Sequence, residues 1–143
     1  MKTKKKMVAL GMSLLVLCGV ISTVSASVYV SGTQYQTVTH KDIPAWAGEH
    51  YDTYYGSKKA TTGDFATFKK THGDAALGNF AELVSSSKAS KSRFVGIPLN
   101  SAQLATEYGC SKGSIYYSGV TSHDFEPSNS CDVTMKFSAD NLK

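Results

Sequence analysis

Arginine is almost missing from this chain: Arg93 stands alone among the 15 basic residues. Bidentate recognition of phosphate relies on the planar guanidinium fork, so a nucleic-acid reader of that kind is not expected. Cysteine is scarce as well, at three residues, and no closely spaced pairs offer the four ligands of a structural zinc site. The zinc-protease spacing His-Glu-x-x-His is absent, and so is a Leu-Pro-x-Thr-Gly wall-sorting signal. Leu, Arg and Glu are sparse beyond the first residues, whereas Thr, Ser, Gly, Tyr and Val are plentiful, a balance that favours sheet over helix.

The amino-terminal segment accounts for most of the positive charge. Lys2, Lys4, Lys5 and Lys6 precede an apolar run from Met7 to about Val24, and Val24-Ser25-Ala26 supplies small residues before Ser27. This is the three-part pattern of a secretory signal peptide, with cleavage expected between Ala26 and Ser27 and no membrane span expected after processing. Removing residues 1–26 takes four of the 15 basic residues and none of the 11 acidic ones, leaving 11 against 11. The pI of 8.9 therefore belongs largely to the leader and gives no argument for nucleic acid. The end of the chain, Phe137-Ser138-Ala139-Asp140-Asn141-Leu142-Lys143, has no apolar tail, so a secreted protein, released or loosely retained, is expected.

Processing also removes Cys18 and leaves Cys110 and Cys131. An even pair in an exported chain predicts one disulfide, closing a loop of about 20 residues and stabilising the fold by roughly 3 kcal/mol on the chain-entropy model.

Residues 27–143 amount to 117 (143 less 26), enough for one domain. In residues 131–138, Cys131, Val133, Met135 and Phe137 alternate with polar neighbours, predicting a half-buried strand that points Cys131 inward. Residues 114–120 predict a second strand, with 121–130 as a long connection. Further strands are expected within 28–39 and at 94–99, the latter limited by Pro98 to an edge or an end. Around residues 74–84 the pattern fits an amphipathic helix or a strand equally, and 101–108 reads as a short helix between Ser101 and Gly109. The expected fold is all-β, a small antiparallel β-sandwich with room for one or two short helices; α+β is the alternative.

Four groups of residues carry possible chemistry. Gly109-Cys110-Ser111-Lys112-Gly113 has the Gly-x-Ser-x-Gly letters of a nucleophile elbow. An elbow, however, needs a strand before the serine and a helix after it, and here strand follows, so a glycine-rich turn is the better reading. Each histidine has an aspartate one or two residues downstream, and His50 with Asp52 and His72 with Asp74 are the candidate ligands for a divalent metal. The competing reading is that these aspartates organise turns, and no cofactor is expected otherwise. Trp46, Tyr51, Tyr54 and Tyr55 form an aromatic cluster suited to stacking on sugar rings or anchoring a protein partner, although the only Trp of a small domain is ordinarily buried. Lys58, Lys59, Lys69, Lys70, Lys88, Lys91 and Arg93 would, if all exposed, make a basic face for an envelope polyanion.

The function these observations favour is non-enzymatic binding by a secreted, disulfide-stapled domain, to a cell-envelope polymer or another secreted protein. A metal-binding protein or small metal-assisted hydrolase built on the His-x-Asp pairs is the second reading. A secreted toxin or bacteriocin-like effector is the third.

Overall fold

A computed structural model describes residues 27–143; the expected signal peptide lies outside that range, and its expected cleavage site at Ala26 and Ser27 falls at the edge. Nine strands follow one another: β1 (Val28–Ser31), β2 (Gln36–Pro44), β3 (Glu49–Lys58), β4 (Phe65–Gly73), β5 (Asn79–Val84), β6 (Val95–Gly96), β7 (Ala102–Thr106), β8 (Ile115–Ser122) and β9 (Ser130–Ser138). They form two sheets in the orders β1-β3-β8-β5-β6 and β2-β9-β4-β7. Every pairing is antiparallel except β1 with β3. Among the described residues there is no helix, and so none long and apolar enough to cross a membrane. The fold is an all-β sandwich.

Strand β9 shows how the sequence pattern becomes the core. Its alternation sends Cys131, Val133, Met135 and Phe137 inward, each at most 2% exposed, as the period of two requires. Phe137 stacks on Phe68 of β4 at 6.3 Å between centroids; Val38 and Ile43 of β2 extend the layer within the same sheet, and Leu83 and Val120 meet it from the facing one. Strand β8, central in its sheet, is largely buried on both faces, its outer side covered by side chains of the strands beside it. There Gly119 lies between Tyr51 of β3 and Glu82 of β5, both its register partners. A Cβ at Gly119 would come within 2.9 Å of the Tyr51 ring, so only glycine admits the ring at this position.

Two expectations for secondary structure are corrected. Residues 101–108 contain β7, not a helix. A segment of about five residues is too short to hold a helix on propensity alone, whereas pairing with Phe65–Lys69 of β4 completes a ladder and buries Ala105. In the ambiguous stretch at 74–84, strand wins: β5 begins after Gly78, whose φ of +98° turns the chain, and the Asp74 carboxylate accepts the Asp132 amide at 2.7 Å instead of capping a helix. Residues 28–39 hold two strands in different sheets, and the strand at 94–99 shrinks to Val95–Gly96.

The expected disulfide is also corrected, since both thiols are free. Cys131 does point inward, but it starts β9 at one end of the sandwich, with its Sγ 3.4 Å from the Asn79 amide nitrogen. Cys110 lies at the other end, against the Lys91 carbonyl and the Tyr116 hydroxyl. Tyr116 and Ser122, the register partner of Asn79, are six residues apart on β8, or about 20 Å at strand rise. A disulfide needs its two Cα atoms within about 7 Å. Burial raises both thiol pKa values, that of Cys110 to about 11 with help from the Glu107 charge.

Candidate functional site

The turn from β2 to β3 runs Ala45-Trp46-Ala47-Gly48, and both Trp46 and Ala47 take left-handed backbone angles, φ 57° and 58°. Side chains with a Cβ adopt that region at a cost of order 1–3 kcal/mol each, so neighbouring structure must impose it. The loop between β8 and β9 does so. Ala47 donates its N–H to the His123 carbonyl at 3.2 Å and Ala45 to that of Asn129 at 3.3 Å, while the Ser122 hydroxyl donates to the Pro44 carbonyl at 2.7 Å. The consequence is a tryptophan held outward at 68% exposure. This overturns the expectation that the lone Trp fills the core.

Phe125, in the same β8–β9 loop, is 67% exposed. Its loop is anchored from below by Glu126, whose side chain is fully enclosed. One carboxylate oxygen of Glu126 accepts the Leu77 N–H at 2.9 Å and the other the Ala76 N–H at 3.1 Å, and these bonds hold its pKa below the usual carboxylate value. One acidic side chain thus ties the loop bearing Phe125 to the turn leading into β5.

From Phe125 the rings continue inward: Phe125 to His123 and His123 to Phe80 each span 6.0 Å between centroids. Phe80 divides two cavities. The first, of about 290 Å³, is lined by Phe80, Phe94, Ala47, Thr121, Glu49 and Asp124. The second, of about 440 Å³, is walled by Ala75, Leu77, Ile97 and Pro98 and reaches the side chains of Lys70 and Asn79. The Lys70 ammonium donates to the Asn79 side-chain carbonyl at 3.3 Å, and burial lowers its pKa. One end of the sandwich therefore presents exposed Trp46, Phe125, Phe94 and Leu77 around two hollows with polar groups at their margins.

The other candidate aromatics do not join this end. Tyr51 covers Gly119 and donates its hydroxyl to Glu49, a bond that with burial pushes its pKa up to about 12. Tyr54 and Tyr55 pack edge to face at 4.8 Å farther along β3, at its bulge. That bulge is built by Asp52, whose Oδ1 accepts the Tyr54 and Tyr55 amides at 2.9 and 2.8 Å. Asp52 and Asp74 both serve backbone amides, and among the described residues no group of three or more His, Cys, Asp or Glu side chains comes together. His50 pairs with a histidine instead of with Asp52, its Nδ1 lying 3.0 Å from Nδ1 of His40.

That pairing belongs to a group the sequence did not reveal. His40 of β2 is fully buried between the sheets, and its Nε2 lies 2.9 Å from the Ser118 hydroxyl on β8. Burial first, and then the nearby His50 charge, depress the His40 pKa to about 3. A serine, a histidine and a second group behind it resemble nucleophile, base and orienter. Ser118 and His40 are both 0% exposed, however, so the arrangement is a polar plug joining the sheets, closed to any substrate. Ser111, the elbow candidate, sits in a turn followed by β8 rather than by a helix, its N–H bonded to the Tyr116 hydroxyl at 2.7 Å. The expected basic face is reduced too, because Lys59 and Lys70 are 2% and 6% exposed.

Comparison with protein-family models, with curated proteins and with solved structures finds no match to this chain.

Proposed function

We propose that the chain is an exported, non-enzymatic binding domain whose recognition surface is the end bearing Trp46, Phe80, Phe94 and Phe125, and that its target is a glycan polymer of the cell envelope. The observation that carries this reading is the strained turn at Trp46 and Ala47, which holds an indole in water where burial would be favourable. Exposed rings stack on the apolar faces of sugars, and the Glu49 and Asp124 carboxylates beside the aromatic cavity can accept hydrogen bonds from sugar hydroxyls. The sealed environment of Ser118 and His40 favours binding over hydrolysis.

The test is retention on isolated cell-envelope glycan. Wild-type protein should be retained, and Trp46→Ala and Phe125→Ala should each weaken retention by about tenfold or more, the behaviour of central aromatic anchors. Equal retention of wild type and both variants would defeat the proposal.

A further inference from the structure

At the end of the sandwich opposite the aromatic surface, Lys59 follows β3 with its side chain wholly inside the protein. Its Nζ lies 2.7 Å from Glu107 Oε2 and 3.7 Å from Asp140 Oδ1, and it donates to the Ala139 carbonyl at 2.8 Å. Glu107 and Asp140 are themselves 8% and 2% exposed. Two carboxyl groups and one amine are thus buried together, an expensive arrangement for charges. With both acids ionised the group would carry a net negative charge, which burial disfavours. Burial accordingly raises the Glu107 pKa.

The surroundings of Asp140 differ from those of Glu107. Asp140 Oδ2 accepts the Ala60 N–H at 2.6 Å, while Oδ1 accepts the Thr61 N–H at 3.0 Å and the Thr61 hydroxyl. Gly32 closes the remaining side, since a Cβ there would run into the Asp140 carboxylate. The Asp140 carboxyl is therefore fixed, with the Lys59 Nζ 3.7 Å from its Oδ1, and its oxygens face donors aimed where negative charge would develop in an addition. Those donors also stabilise the carboxylate and hold its pKa low, so the addition requires a proton on Asp140. Among the described residues Glu107 is the carboxylate nearest the Lys59 ammonium, at 2.7 Å.

From this geometry we infer that Lys59 and Asp140 condense to an intramolecular isopeptide bond, with Glu107 carrying the protons. The ionised Glu107 takes a proton from the Lys59 ammonium, and the freed amine attacks Cγ of protonated Asp140. The Nζ–Cγ bond forms and a Cγ–O bond breaks. The hydroxyl leaves as water with a proton relayed by Glu107, which ends the reaction protonated. No oxidant or further reactant is needed, and a buried ion cluster becomes a neutral amide beside a neutral acid. The bond would tie the end of β3 to the segment after β9 and join the two sheets covalently, in a domain whose cysteines lie too far apart to do so.

Intact mass spectrometry of the purified chain, followed by peptide mapping, decides the matter. The expected result is a mass one water below that calculated for the purified chain, its amino terminus assigned by the same mapping, with a branched peptide joining Lys59 to Asp140. Lys59→Arg and Asp140→Ala should keep the full mass, and so should folded Glu107→Gln. Asp140→Asn should lose ammonia and give the same cross-linked product as the wild type. Folded wild-type protein at full mass, or water loss in peptides that leave Lys59 free, would overturn the inference, and neither result depends on any variant folding.

Discussion

The polar plug between the sheets makes stability depend on pH in a way that one substitution can isolate. His40 titrates near 6.5 in the unfolded chain but near 3 in the fold, because burial and the His50 charge disfavour its imidazolium. Below pH 6.5 the unfolded chain takes up a proton that the folded chain refuses. The contribution of the neutral ring is thus complete above about pH 6.5 and is lost progressively as the pH falls toward 3. Each pH unit in that window is worth about 1.4 kcal/mol, so two units, from 6.5 to 4.5, remove about 3 kcal/mol. Replacing His40 by Gln abolishes this dependence. At pH 7 the variant should be less stable by about 1–3 kcal/mol, since the Ser118 hydroxyl and His50 ring lose a buried partner. At pH 4.5 the difference should shrink by about 3 kcal/mol and can reverse sign. Urea unfolding of both proteins at pH 7, 5.5 and 4.5, followed by circular dichroism, measures it. The remaining titrating groups are common to both proteins and largely cancel in the difference. A stability gap that stays constant across the three pH values would refute the argument.

Other outcomes follow from the same packing. Phe137→Ala removes a fully buried ring stacked on Phe68 and should cost about 3–5 kcal/mol, read as a lower urea midpoint. Trp46→Ala removes an exposed ring and should change stability by less than about 0.5 kcal/mol while it weakens binding, which separates recognition from folding. Gly119→Val should destabilise by about 1–3 kcal/mol or more through collision with the Tyr51 ring, and near-ultraviolet circular dichroism should report the displaced tyrosine. Cys110 and Cys131 should both be alkylated on unfolding without reductant, and little in the native state; a blocked pair would restore the disulfide.

What the sequence disclosed was mainly local. The alternation of residues 131–138 predicts β9 and the burial of Cys131, Val133, Met135 and Phe137, because strand periodicity is written directly in side-chain polarity. It also sends Cys131 inward correctly, yet it says nothing about which end of the sheet Cys110 occupies, and so the inferred disulfide failed. Residues 101–108 were misread because Ala, Gln and Leu favour helix locally, while the deciding interaction is a ladder with β4 more than 30 residues earlier. The site was half legible. Trp46 was identified by its chemistry, but the exposure that gives it meaning is set by carbonyls of the β8–β9 loop, remote in sequence. His40 and Lys59 were hidden altogether, since nothing near them in the chain signals that they are buried. Their partners Ser118, Glu107 and Asp140 lie dozens of residues away.

The chain has a single tryptophan, so its own fluorescence reports on the proposed recognition surface without a label. Titration of the folded protein with soluble fragments of cell-envelope glycan should give a saturable blue shift of Trp46 emission, as stacking withdraws the indole from water. The same titration of Phe125→Ala should require about tenfold more glycan. An emission spectrum unmoved at glycan concentrations that retain the protein would mean that Trp46 is not at the contact, and would contradict the account.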